Sequence, residues 1–87
     1  MGNAFAPNDV LRFLRTSLGI TQKAMALELA CDSAWLCAIE RGHARMGAKT
    51  GQRIEKRYGP DMTRLGITLS DLLRGRRELP EASRAAG

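Results

Sequence analysis

Cys31, Cys37 and His43 are the side chains best suited to covalent or metal chemistry, and they recur at even intervals. Such a trio invites a zinc reading. A structural zinc site takes four ligands, and this set has no fourth nearby and no finger spacing. A Cys37–His43 nucleophile–base pair needs a third orienting group and donors for an oxyanion, and the sequence names neither. Paired carboxylates and phosphate-cradling glycine loops are absent too. The chain is therefore not expected to be an enzyme or to hold a metal or cofactor. The two thiols read as small hydrophobes or incidental groups. Two cysteines make a poor staple for a secreted scaffold, so a reducing, cytoplasmic setting is expected.

The second chemistry is electrostatic. Arg41, Arg45, Lys49, Arg53 and Lys56 fall in one stretch whose only acid is Glu55. The whole chain of 87 residues carries a net charge of +5, with an isoelectric point near 10.0. A small basic domain suits a polyanion, nucleic acid before an acidic membrane surface. No apolar run is long enough to span a bilayer, and no signal peptide is expected.

Short helices must position these groups. Asn8 caps a first helix along which Val10, Leu11, Leu14 and Leu18 recur at helical spacing, and Gly19 stops it. Thr21 caps a second, with Met25, Ala26 and Leu29 inward. After a break at Ala30–Cys31–Asp32, Asp32 or Ser33 caps a third, with Leu36 and Ile39 inward and Gly42 at its end. A fourth runs from about Ala48 to Tyr58, with Ile54 and Tyr58 paired. Gly59–Pro60 interrupts it, and Pro60 suits the first turn of a further segment through Leu65. Thr68 opens a last helix with Asp71 as an acidic capping box, and Gly75 stops it. Nothing alternates with period two. The expectation is an all-α, compact bundle of about five short helices spanning 8–75, with a flexible arm at 1–7 and a flexible tail at 76–87.

The stretch from Leu11 to Gly42 resembles the Xre-type, or phage Cro and repressor-like, helix-turn-helix family. The match is ungapped: Arg15, then Gly19–Ile20–Thr21–Gln22, Ala26 and Leu29, and Leu36, Ile39, Glu40, Arg41 and Gly42. Leu65–Gly66–Ile67 and Asp71–Leu72–Leu73 resemble the closing segment. Three features depart from the pattern. Ala30 stands where a turn glycine is common, Arg45–Met46–Gly47 where proline is common, and the distance from Gly42 to Leu65 is longer by several residues.

The resemblance implies a lambda-repressor-like fold whose third helix enters the major groove. By position, Gln22, Ser33, Ala34, Trp35 and Ala38 would contact bases. Thr21, Gln22, Arg41, Arg45 and Lys49 would contact phosphates, with Arg53 and Arg57 either extending that stripe or forming a solvated helix face. Arg15 and Glu40 would form an ion pair between the first and third helices. Trp35 would face DNA or a protein, or else pack on Phe13 or an adjoining helix. Leu69, Leu72 and Leu73 are the candidate dimer surface, shared with the core. The implied function is a sequence-specific regulator of double-stranded DNA, a homodimeric repressor that occludes a promoter from a palindromic operator. The alternative is a protein-binding module, antiactivator- or antitoxin-like, suggested by Ala34, Trp35, Cys37 and Ala38.

Overall fold

Local hydrogen bonds decide where the helices begin. A computed structural model of the chain describes residues 5–76, so residues 1–4 of the expected arm and 77–87 of the expected tail lie outside it. The helices are α1 Asp9–Ser17, α2 Gln22–Leu29, α3 Ser33–Arg41, α4 Ala48–Leu65 and α5 Leu69–Arg74. Among the described residues there is no strand. Asn8 Oδ1 accepts from the Leu11 amide at 2.9 Å, and Thr21 Oγ1 accepts from Ala24 at 3.0 Å. Asp32 Oδ1 accepts from Ala34 at 3.0 Å. Thr68 and Asp71 exchange two bonds of 3.1 Å in a capping box. Each satisfies amides that a helix start leaves open.

The helix ends carry a surprise. Ala30, between α2 and α3, has φ 54° and ψ 45°. It is the one non-glycine residue with positive φ among those described. The left-handed conformation crowds a Cβ, so the sequence keeps alanine where the turn favours glycine. Gly42, which ends α3, has φ 84°, and a Cβ there would run into the Phe5 carbonyl.

That contact changes the reading of the arm. Phe5 N–H donates to the Gly42 carbonyl at 3.0 Å, so residues 5–7 lie across the end of α3. Asn8 continues the tie: its Nδ2 donates to the Leu72 carbonyl at 2.9 Å, and its backbone N–H reaches the carbonyls of Ile39 and Glu40.

The longest helix bends. Tyr58 leaves helical geometry inside α4, with φ −120° and ψ 20°. Pro60 follows two residues later, in the first turn of the second half, where its missing N–H costs little.

One core joins all five helices. Leu11, Leu14, Met25, Leu36, Ile39, Ile54, Met62 and Leu72 are fully enclosed, each worth about 1.5–3 kcal/mol relative to exposure. The α2 and α3 helices pack on each other, α4 packs on α2 and α5, and α1 lies against α3, α4 and α5. Among the described residues, no helix is long and apolar enough to cross a membrane.

Candidate nucleic-acid interface

The α3 helix has two sides of opposite character. Leu36, Ile39 and Glu40 face the core. Ala34, Trp35 and Arg41 lie on the exposed side, and Ser33, Cys37 and Ala38 are half-buried along its margins. Positions 34, 38 and 41 recur at helical spacing, so they form one outer stripe. Trp35 is 42% exposed and lies outside the core cluster.

A buried carboxylate fixes this helix. Glu40 is 1% exposed. Arg15 Nε donates to Glu40 Oε2 at 2.8 Å and Arg15 Nη2 to Oε1 at 3.0 Å. Arg15 Nη1 also donates to the Ile20 carbonyl at 3.1 Å, tying in the start of α2. Such a two-point fork fixes direction as well as distance. Burial pushes the Glu40 carboxyl up, but bonds from Arg15 and Gln22 and the charges of Arg15 and Arg12 outweigh it, leaving it below the usual range. The bond to Glu40 raises Arg15; burial opposes, and the Glu40 charge adds to the rise.

Two parts of this lock go beyond the sequence reading. Arg12 Nε stands 3.6 Å from Glu40 Oε1; its position three residues before Arg15 on the same helix face was the available signal. Gln22, half-buried at the start of α2, also helps to lower the Glu40 pKa.

The cations divide into two groups. Arg41 is the last residue of α3, Arg45 lies in the loop that follows, and Lys49 is in the first turn of α4; all three are exposed. Met46 is buried beside Arg45, so the loop is anchored where the cation projects. Thr21 is exposed at the α2 cap. Arg53 and Arg57 turn elsewhere. Arg53 Nη2 donates to the Leu29 carbonyl at 2.6 Å, where a cation suits the negative end of α2. Arg57 pairs with Glu28 at 3.2 Å. The proposed extension of the phosphate stripe is thus a brace between α4 and α2.

The expected dimer surface needs a similar correction. Leu72 is 0% exposed and has no surface to offer a partner. Leu69 and Leu73 are half-buried against the core, and their side chains close over Gly51 of α4.

Cys31 and Cys37 are free thiols, both half-buried. Burial pushes the Cys31 thiol up; nearby Asp32 adds to this and Arg53 opposes it. That is the direction of an unreactive thiol. His43 is exposed just after α3. Among the described residues, no three His, Cys, Asp or Glu side chains gather to hold an ion.

No family model matches the chain, and neither the curated proteins nor the solved structures give a significant match.

Proposed function

We propose that this chain is a sequence-specific regulator of double-stranded DNA, built on an Xre-type helix-turn-helix formed by α2, the Ala30–Asp32 turn and α3. The observation that carries the reading is the two-sided character of α3. Its inner side is locked to α1 through Arg15 and Glu40, while Ala34 and Trp35 stand open to solvent on the other side. A helix held rigidly with one side free is what a major groove accepts. Arg41, Arg45 and Lys49 follow in sequence, where they would clasp phosphates, and the net charge of +5 favours the approach of a polyanion.

Two copies spaced about 34 Å apart would read two half-sites of a palindrome. Leu69 and Leu73, without Leu72, remain the candidate dimer contacts. Occlusion of a promoter in the cytoplasm is the simplest mode of action. The test is selection of bound duplexes from random DNA with the full chain, followed by titration. The expected result is a preferred site with a Kd of about 10 nM or tighter at physiological salt. Equal affinity for random duplexes would overturn the reading.

One observation favours a second reading, a protein-binding module. Leu27, on α2, is 76% exposed, and Trp35 is exposed as well; large apolar groups in water often mark protein contacts. Salt-sensitive DNA binding with no sequence preference would favour this alternative.

A further inference from the structure

The outer side of α3 is poor in groups that read hydrogen-bonding edges. From Ser33 to Glu40 it carries no Asn, Gln, Arg or Lys. The amide of Gln22 belongs to the start of α2 and not to this helix. The nearest carboxylate, on Asp32, accepts from the Ala34 amide at the helix cap. Arg41 lies about 12 Å along the axis from Ser33. The half-buried Ser33 hydroxyl and the Trp35 indole N–H are the polar groups left, beside the methyls of Ala34 and Ala38 and the large indole face.

Against a base pair, an alanine methyl has one favourable partner in the major groove, the C5-methyl of a pyrimidine. Facing the polar edge of guanine or adenine, it would strip that edge of water and return no bond. Arg41 at the end of the outer stripe, and Arg45 and Lys49 beyond it, are exposed cations that suit a polyanionic duplex. Resting on the DNA-binding reading above, we infer that the face of Ala34, Trp35 and Ala38 recognises clustered pyrimidine C5-methyl groups in the major groove, carried by thymine or by 5-methylcytosine.

The test uses the full chain and the duplex obtained by selection. Each thymine in turn is replaced by deoxyuridine, which removes the methyl and leaves every hydrogen-bonding group in place. At more than one position the affinity should fall about fourfold per methyl, with an unchanged salt slope. Pairs of 5-methylcytosine with guanine at the sensitive positions then separate the two sources. Affinity kept there, but lost with plain cytosine, means that the methyl is read on either ring; affinity lost with both assigns the contact to thymine. Trp35→Phe removes the indole N–H and should keep the methyl sensitivity, whereas Trp35→Ala should lose it at one position. A selected duplex that binds equally well with deoxyuridine throughout overturns this inference and leaves the DNA-binding reading standing. Failure to select any sequence overturns both.

Discussion

Arg15 on α1 grips the buried Glu40 on α3 by two hydrogen bonds of 2.8 and 3.0 Å. Deleting Glu40 leaves Arg15, whose side chain is mostly buried, without its counter-charge. Glu40→Ala should therefore cost about 3–5 kcal/mol, read from urea denaturation. Arg15→Lys should recover only part of the loss of Arg15→Ala. An ammonium cannot reproduce the fork to Glu40 while also reaching the Ile20 carbonyl. Urea midpoints equal to the parent's for Glu40→Ala would contradict the lock.

The same carboxylate makes stability depend on pH. The folded chain favours ionised Glu40, so the unfolded chain takes up its proton first. The contribution is complete above the ordinary glutamate range, at about pH 4–5, and is lost as pH falls through the lower folded value. Arg15 stays charged throughout. Thermal melts of the parent and Glu40→Gln should differ most near neutral pH and converge on acidification. A gap that widened in acid would reverse the assigned direction.

Ala30 pays for a turn shape that its side chain resists. Its φ of 54° lies in the left-handed region, where a Cβ costs roughly 1–2 kcal/mol. Glycine removes that cost but adds freedom to the unfolded chain. The net for Ala30→Gly should be a gain of about 0.5–1 kcal/mol, visible as a higher urea midpoint.

Tyr58 holds a buried hydroxyl with no hydrogen-bond partner among the described residues. Burial pushes its phenol pKa up. Tyr58→Phe keeps the ring in the bend of α4 and removes the unsatisfied group. A gain of about 1 kcal/mol is expected, and a loss of similar size in urea titration would mean that the hydroxyl is satisfied in solution.

These cases mark what the sequence could reveal. Asn8, Thr21, Asp32 and the Thr68–Asp71 box act within a few residues, so their positions announce the helix starts. The break near Gly59–Pro60 was legible for the same reason, although the departure falls at Tyr58, just ahead of it. The Arg15–Glu40 pair spans two helices and was legible only through family resemblance. Nothing local reveals that Ala30 turns left-handed or that Phe5 lies over Gly42. Leucine spacing in α5 could not separate Leu72, which is enclosed, from Leu69 and Leu73, because one apolar stripe serves core and surface alike. Partners distant in sequence likewise decided the role of Arg53.

Arg45 and Arg53 lie in one basic stretch and should nevertheless respond in opposite ways. Arg45 is exposed and makes no ion pair among the described residues, whereas Arg53 donates to the Leu29 carbonyl at the end of α2. If Arg45 contacts a phosphate, Arg45→Ala lowers affinity on all duplexes alike and reduces the log–log salt slope by about 1. Its effect on stability should stay within roughly 0.5 kcal/mol, as for an ordinary surface change. Arg53→Ala should instead destabilise the fold by about 1 kcal/mol, through the lost bond to the helix end, and leave the salt slope unchanged. Salt titrations and urea melts of the two variants, run in parallel, decide the assignment. Equal salt slopes for Arg45→Ala and the parent would remove Arg45 from the interface, and a reduced slope for Arg53→Ala would return Arg53 to it.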